Sequence, residues 1–268
     1  MAEILVTSAS NPRLKEVLAL RRRRAREEQG RTVVEGFEEL RLALDAGVVP
    51  LSVLHCPELM LDPGEQEGLV ARARGLGAST LRLSRAAFEK IAYREGPDGF
   101  LAVVPVAGAA LEDLALPEDP LILVCEGLEK PGNLGAALRT ADAAGITAVI
   151  AASPVTDWGN PNVVRASKGT VFSVPVATAP TAGVLEWLRS NGIRLVATTP
   201  DTDTEYTAVD YRGGVAVAVG TEKEGLSEAA LGAADERVRI PMVGTVNSLN
   251  AATAAAVVVY EAVRQRSA

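Results

Sequence analysis

Apolar positions in the N-terminal third of the chain recur in the short alternating pattern of a small α/β domain. Asn11 and Pro12 form a typical helix start, and apolar residues at helical spacing extend the predicted helix to Gly30. Strands are predicted at residues 32–35, 51–56 and 100–105, with helices that end at Gly47 or begin after Gly64. Residues 1–106 are therefore predicted to form one small α/β domain.

A second domain is predicted after residues 107–120, which are rich in alanine, glycine, proline and acidic residues and are interpreted as a linker. Within residues 121–268, apolar strands are predicted at 121–125, 146–152, 172–177, 193–199, 215–220 and 238–242. Continuous apolar strands separated by helical stretches predict an α/β fold with a mainly parallel sheet covered on both faces. Ligands bind such sheets at the carboxyl ends of the strands.

Composition narrows the classes of protein to consider. The 268 residues, of which 48% are hydrophobic, suffice for two modest domains. There is no apolar run of about 18 residues and no signal-peptide pattern, so we expect a soluble, cytoplasmic protein without a membrane partner. Cys56, Cys125 and the single histidine, His55, have no disulfide or metal-ligand spacing. We expect no metal and no catalytic imidazole.

Charge is unevenly distributed along the chain. The net charge of −7 argues against a nucleic-acid partner, but residues 1–34 carry +4 and leave −11 for the rest. Much of that local excess comes from Arg21, Arg22, Arg23 and Arg24. A solvated helix face and an RNA backbone contact are both compatible with this run, and the local excess favours RNA.

The first candidate motif is the segment 126–145, EGLEKPGNLGAALRTADAAG, which lacks both the G-x-G-x-x-G and the Walker patterns. Asn133 is a predicted helix cap, and Gly145 ends the helix. Arg139 lies one turn after Gly135, which has no side chain, so its guanidinium can reach back toward Asn133. The alternative is an ordinary surface arginine in an ion pair.

The second motif is the segment 215–228, VAVAVGTEKEGLSE, an apolar strand that ends at Gly220 and is followed at once by polar residues. Gly220 allows a ligand to approach the backbone closely. Glu222 is a candidate partner for Arg139, because a buried arginine needs an acceptor. A helix-capping turn explains the pattern equally well.

The third motif is a polar loop followed by a helix that is apolar nearly all round at residues 251–259. The loop contains Thr245, Asn247, Ser248 and Asn250. A helix that is apolar on every side needs a second surface to cover it. Packing inside the fold accounts for this, and a homodimer interface is the preferred addition.

Together the motifs NLGAALRTADAAG, VVRASKGTVFSVPV, VGTEKEGLSE and RIPM, followed by SLN and YEA, resemble the SpoU (TrmH) RNA ribose methyltransferases of the SPOUT class. They follow the order of that family over residues 121–266. The N-terminal NPRLK and VVEGFEEL stretches resemble the family's small substrate-binding domain. The likeness therefore covers most of the chain.

The resemblance implies a C-terminal domain with a trefoil knot that forms the cofactor pocket and a homodimer interface, although chain connections are otherwise almost never knotted. It also implies S-adenosylmethionine as the cofactor and RNA as the partner. The residues that correspond to the family's cofactor site are Thr198, Gly220, Ile240 and Leu249. The residues that correspond to its catalytic set are Asn133, Arg139, Glu222, Ser248 and Asn250. Arg165 corresponds to an RNA or active-site contact.

The expected function is S-adenosylmethionine-dependent 2′-O-methylation of a ribose in structured RNA, with 23S ribosomal RNA as the expected substrate. Alternatives are a transfer RNA substrate and a non-catalytic RNA-binding role in ribosome assembly; a nucleotide-dependent oxidoreductase would need the absent glycine-rich turn. Because arginine keeps its proton up to a pKa above about 12, Arg139 is interpreted as a donor to the developing alkoxide and not as a base. The sequence departs from the family pattern at Thr221, Lys168 and the Ala251-Ala252 pair, which concerns substrate fit more than the reaction type.

Overall fold

The computed structural model describes residues 5–8 and 10–267. The strands are β1 (Leu5–Val6), β2 (Arg31–Glu35), β3 (Ser52–His55), β4 (Ser79–Leu83), β5 (Phe100–Pro105), β6 (Leu121–Glu126), β7 (Ala148–Ala152), β8 (Val176–Ala179), β9 (Arg194–Thr198), β10 (Val215–Val219) and β11 (Glu236–Val238). The α-helices are α1 (Pro12–Ala19), α2 (Arg23–Gln29), α3 (Phe37–Asp45), α4 (Pro63–Gly75), α5 (Arg85–Ile91), α6 (Pro131–Ala144), α7 (Pro161–Ala166), α8 (Thr181–Ser190), α9 (Glu228–Ala233) and α10 (Ala251–Arg266).

The chain divides into two compact units. Unit 1 contains the residues up to Ala107 together with Asp157–Ser173, and unit 2 contains Gly108–Thr156 and the residues from Val174 onward. This division differs from the single cut expected from the sequence. A segment from the middle of the second predicted domain belongs to unit 1.

The segment predicted to be a linker, residues 107–120, is largely part of unit 2. Leu111 and Leu114 are buried in the core of that unit. The Ala109 backbone N–H also donates to the Val176 carbonyl at 2.9 Å, which attaches the segment to β8. The two leucines remove apolar surface from water, so this stretch is ordered in spite of its alanine- and proline-rich composition.

Unit 1 contains the strands and helices expected for the small α/β domain, together with the segment 157–173. Its five-stranded sheet has the order β1-β4-β3-β5-β2. β4 is parallel to β1 and β3, whereas β5 is antiparallel to β3 and β2. The core includes Leu14 of α1 with Phe88 and Ile91 of α5. Phe37 of α3 meets Phe100 of β5 edge to face, with ring centres 5.6 Å apart.

The helix predicted to continue to Gly30 is broken after Ala19, and a second helix starts at Arg23. The buried guanidinium of Arg26 satisfies carbonyls at this break, because its Nη1 donates to those of Leu20 and Arg21, each at 3.0 Å. Carbonyls at a helix end need such donors when water is excluded. The arginine run is therefore divided between the turn after α1, which contains Arg21 and Arg22, and the start of α2 at Arg23.

The segment 157–173 is fixed to unit 1 by polar contacts. Arg26 forms an ion pair with Asp157 with an Nη2–Oδ2 distance of 2.5 Å, and its Nε donates to Oδ1 at 3.0 Å. The Thr32 hydroxyl donates to the Gly159 carbonyl. Gly169 lies so close to the Glu39 backbone that an added Cβ would approach it to 3.0 Å. These contacts join distant parts of the sequence, so periodicity could not predict them.

Unit 2 confirms the predicted parallel sheet. Its six strands are all parallel, in the order β11-β9-β10-β6-β7-β8. Every residue of β6, β7 and β10 is buried, as expected for a sheet covered on both faces. Two predicted strands are displaced: Phe172 lies in a 3-10 turn before β8, and the chain leaves the sheet after Val238. Pro241, which has no N–H to donate, lies just beyond that point.

Candidate active site

A cavity of about 640 Å³ lies at the carboxyl edge of the unit 2 sheet. The chain segments that follow β9, β10 and β11 line it, together with the start of α10. Six of the residues predicted for the site are among its walls: Thr198, Gly220, Glu222, Ile240, Ser248 and Leu249. The structure thus brings together residues as far apart in the sequence as Thr198 and Leu249.

Gly220 is required by a close approach within the chain itself. A Cβ built on it would lie 2.1 Å from the carbonyl carbon and oxygen of Gly225 and 2.3 Å from the Leu226 nitrogen. The facing turn is closed by two backbone hydrogen bonds of 3.0 Å between Thr221 and Gly225. The absence of a side chain at Gly220 therefore makes room for the turn at 221–225, a requirement that the sequence did not indicate.

Three predicted catalytic side chains form one hydrogen-bonded network beside this cavity. Glu222 Oε1 accepts from Asn133 Nδ2 at 3.1 Å and from Asn250 Nδ2 at 2.6 Å. Asn250 Nδ2 also donates to Asn133 Oδ1 at 2.9 Å. Lys130 completes the group by an ion pair with the other Glu222 oxygen. We call these four side chains the Glu222 network.

Asn250 has two functions in this network. Its Oδ1 accepts from the Ala252 backbone N–H at 3.0 Å and so caps the N-terminus of α10. Its Nδ2 carries two hydrogens and donates to both Glu222 and Asn133. The amide is thereby fixed in one orientation, and the start of α10 is coupled to the Glu222 carboxylate.

The ionisation of Glu222 is set by its donors. The hydrogen bond from Lys130, followed by that from Asn133, holds the pKa of the Glu222 carboxyl below its ordinary value of 4.5. Folded-state stabilisation from this group is present at neutral pH and is lost as pH falls below that value. Glu222 is therefore an anion under physiological conditions.

Arg139 is not part of the Glu222 network. It lies exposed on α6 and makes no side-chain hydrogen bond or ion pair with any residue in the ranges 5–8 and 10–267. The predicted pairing of Arg139 with Glu222 is therefore wrong: Lys130 takes that place. Asn133 is also not the helix cap, because Pro131 starts α6 and places Asn133 at the third helical position.

Sequence reasoning missed Lys130, Glu126 and Arg239. Glu126, buried at the end of β6, accepts from the Ser227 N–H at 2.8 Å and from the Thr181 hydroxyl at 2.8 Å, so it joins the starts of α9 and α8. The sequence signal that could have identified Glu126 is a charged residue that directly follows the apolar run at 121–125. Arg239 lines the cavity, and its buried Nε has no hydrogen-bond partner within the described part of the chain.

The arginines predicted to bind RNA lie in unit 1 and differ in their surroundings. Arg23 and Arg24 form exposed ion pairs of 2.7 Å with Glu27 and Glu28 in the next turn of α2. Arg21 instead donates to the carbonyls of Ile91 and Ala92, at 3.1 and 2.8 Å. Arg22 and Arg165 are exposed. The run is therefore not one uniform charged face.

The long helix α10 packs against α6 and β10 but keeps one face uncovered. Ala255, Val258, Val259 and Ala262 are buried within unit 2, whereas Tyr260 is 48% exposed. Internal packing therefore explains only part of the apolar surface of this helix.

Residues 5–8 and 10–267 contain neither a candidate membrane-spanning helix nor a candidate metal-binding cluster. No helix there is long and apolar enough to cross a membrane. No group of three or more histidine, cysteine, aspartate or glutamate side chains is arranged there to hold a metal ion.

This fold and site define a class of protein, and comparison with known proteins identifies it. Residues 120–260 match the SpoU rRNA Methylase family, and residues 11–102 match the MRM3-like substrate binding domain. The chain therefore belongs to the SpoU family, as its motifs predicted.

Individual relatives agree with this assignment. The chain is 38% identical over 178 residues to the 23S rRNA (uridine(2479)-2'-O)-methyltransferase of Streptomyces viridochromogenes. The aligned region covers 64% of this chain and 62% of that protein. A crystal structure described as an RNA 2'-O ribose methyltransferase is 42% identical, covers 99% of this chain and 100% of its own, and gives a TM-score of 0.85. The AdoMet-bound rRNA methyltransferase from Sinorhizobium meliloti is 30% identical, with 97% of each chain covered and a TM-score of 0.90.

Proposed function

We propose that this protein transfers a methyl group from S-adenosylmethionine to a ribose 2′-hydroxyl of 23S ribosomal RNA. The observation that carries the proposal is the cavity at the carboxyl edge of the unit 2 sheet, with the Glu222 network beside it. Family membership and the names of the relatives support the reaction and the class of RNA. An RNA substrate also supports a cytoplasmic location.

The cavity fits S-adenosylmethionine in size and chemistry. Its volume of about 640 Å³ is within the range of about 300–1,000 Å³ for small-molecule sites. Ile240 and Leu249 offer apolar surface for an adenine ring, and Glu222 and Arg239 offer opposite charges to a ligand that carries an ammonium, a sulfonium and a carboxylate. The bound cofactor would supply an electrophilic methyl group. We propose that Thr198, Gly220, Ile240 and Leu249 hold it, largely through backbone groups.

The Glu222 network is proposed to position the reacting hydroxyl. Its hydrogen bonds fix Asn133 and Asn250 relative to one another, and the alignment of reactants can contribute about 7–11 kcal/mol to catalysis. The Ser248 hydroxyl lines the same cavity and is proposed to contact the substrate.

Arg139 is proposed to donate hydrogen bonds to the alkoxide that develops on the ribose oxygen. Because its guanidinium has no partner within the described residues, its donors are available to a substrate. A guanidinium remains protonated at neutral pH, so it stabilises negative charge and does not remove the proton.

The test of this assignment separates catalysis from cofactor binding. Arg139→Ala should reduce turnover by about 100- to 1000-fold, the usual cost of losing one such donor, while calorimetry shows nearly unchanged S-adenosylmethionine affinity. Arg189→Ala, at an exposed ion-paired arginine on α8, serves as the matched control. A comparable loss of cofactor affinity in Arg139→Ala would assign the residue to the cofactor site instead.

We further propose that the protein is a homodimer with the trefoil knot of its family. Family membership supports the knot, and the uncovered face of α10 around Tyr260 supports the dimer. Sedimentation should give a dimer for the wild type and a monomer for Tyr260→Glu, since a buried unpaired carboxylate opposes association. A monomeric wild type would contradict the dimer.

A further inference from the structure

A notch on the surface of unit 1 brings together residues that the sequence keeps far apart. Arg21, Glu35, Tyr93 and Arg165 line it, from four different segments of the chain. The space inside is only about 20 Å³, which is close to the room needed by one water molecule. No planar ring can enter, so any ligand larger than water must bind at the rim.

The rim of the notch is a cation stacked on an aromatic ring. The Arg21 guanidinium carbon lies over the Tyr93 ring, 5.3 Å from its centre. The same guanidinium is held by hydrogen bonds from Nη2 to the Ile91 and Ala92 carbonyls. A cation within about 6 Å of a ring centre is attracted by the ring's electrons. The pair is thus fixed in place before any ligand arrives.

Tyr93 is itself held in position from both ends. Its backbone N–H donates to Glu35 Oε2 at 2.6 Å, and its hydroxyl accepts from Asn162 Nδ2 at 2.9 Å. In spite of these contacts the residue remains 37% exposed. A rigid, partly exposed aromatic side chain of this kind loses little conformational freedom when a planar ligand stacks on it.

The notch also carries unneutralised positive charge. Arg21 and Arg165 form no ion pair with any carboxylate among the described residues, whereas Arg23 and Arg24 are paired with Glu27 and Glu28. Glu35 lies deeper, where burial raises the pKa of its carboxyl, and its two oxygens accept from the Tyr93 and Arg94 backbones. A phosphate is therefore favoured at the arginines and opposed at the floor of the notch.

We infer that this rim, formed by Arg21, Tyr93 and Arg165, binds an unpaired nucleotide of the RNA substrate. The base stacks on the Arg21–Tyr93 pair, and the phosphate contacts Arg165. Bases in a duplex are already stacked on their neighbours, so only an unpaired nucleotide has a free face for such a platform. This site rests on the proposed function, because it assumes that the substrate is RNA.

The experiment compares single-stranded oligo(U) with an RNA duplex of equal length, by fluorescence anisotropy on the full-length protein. Tyr93→Leu should weaken binding of the single strand by about 5- to 150-fold, the range for base–aromatic stacking, and should change duplex binding little. Tyr93→Phe should restore the lost affinity, because it keeps the ring. Arg41→Gln, at an exposed ion-paired arginine of the same unit, is the control and should match the wild type.

The phosphate contact is tested by the dependence of affinity on salt. Arg165→Gln should lower the slope of log affinity against log salt concentration by about 0.7, the value for one contact with a single strand. Because Arg165 is exposed, this variant tests the site even if Tyr93→Leu fails to fold. An unchanged slope, with single-strand affinity equal to that of the wild type, overturns the inference.

Other outcomes also decide the matter. Equal losses on single strand and duplex for Tyr93→Leu, or no oligo(U) binding by the wild type, overturn the site. S-adenosylmethionine affinity, measured on the same variants, should not change, since the cofactor cavity is built from unit 2 residues alone. If the wild type methylates RNA, and Tyr93→Leu binds oligo(U) as tightly as the wild type does, this inference is overturned and the proposed function is left intact. A wild type that transfers no methyl group removes the proposed function itself.

Discussion

Replacing Gly220 by alanine is the sharpest single test of how the site is built. The new Cβ would lie 2.1 Å from the Gly225 carbonyl, where ordinary contacts are 3.4–4 Å, so the turn at 221–225 must retreat by about 1 Å or more. Forcing one extra carbon into a tight contact costs about 1–3 kcal/mol. For a chain of this size that corresponds to a fall in Tm of roughly 2–10 °C.

The same shift should damage catalysis more than stability. Glu222 lies on the displaced turn, and a misplacement of about 1 Å at a reacting centre can cost about 100-fold in rate. Thermal unfolding by circular dichroism, cofactor calorimetry and a methyl-transfer assay measure the three effects. We expect lower stability, weaker cofactor binding and turnover reduced by about that factor.

Gly232→Ala is the matched control for this substitution. Gly232 lies in α9, and a Cβ built on it has no atom within 4 Å. Alanine at such a helical position should stabilise the protein by about 0.4–1 kcal/mol, the opposite direction from Gly220→Ala. If Gly220→Ala has the Tm and the turnover of the wild type, Gly220 is not needed for the close approach of the turn to β10.

Three further substitutions test the contacts around the site and in unit 1. Asn250→Asp keeps a helix-capping oxygen but replaces the amide donor with a second carboxylate against Glu222, so turnover should fall strongly in a methyl-transfer assay and Tm should fall as well. Lys130→Met removes the donor that lowers the pKa of Glu222, so the carboxyl resonance of Glu222 should titrate at higher pH than in the wild type. The difference in stability between the variant and the wild type should also shrink below pH 4.5, where the carboxylate becomes protonated. Arg26→Met should destabilise the protein by about 3 kcal/mol in denaturant unfolding, because it leaves the carboxylate of Asp157 largely buried and unpaired. The control Arg24→Met, at an exposed ion pair, should change stability by less than about 1 kcal/mol.

Each of these has a contradicting result. Wild-type turnover in Asn250→Asp would separate the amide from catalysis. An unchanged Glu222 titration in Lys130→Met would mean that the ion pair does not form in solution. Equal stability of the Arg26 and Arg24 variants would remove the structural role given to the buried guanidinium.

Local patterns predicted the elements of the fold well. The apolar runs of β6, β7 and β10 are buried along their whole length, which is why a parallel sheet could be expected from sequence alone. Helix α6 likewise ends at Gly145, in a left-handed conformation, as its sequence indicated.

Contacts between distant residues could not be predicted in the same way. At the break after Ala19, the carbonyls are satisfied by Arg26, whose ion-pair partner Asp157 lies 131 positions away. The choice of Lys130 over Arg139 as the partner of Glu222 depends on where Pro131 starts α6, which sets the direction of every side chain in its first turns. Motifs identify which residues belong to a site, whereas the packing of elements decides which of them meet.

The most direct measurement of the central claim is the chemical position of the transferred methyl group. Ribosomal RNA incubated with this protein and methyl-labelled S-adenosylmethionine is digested with alkali, which needs a free 2′-hydroxyl to cleave the neighbouring bond. We predict that the label is recovered in an alkali-resistant dinucleotide with wild-type protein and is nearly absent with Arg139→Ala. Label recovered in single nucleotides, on a base, would contradict a ribose methyltransferase.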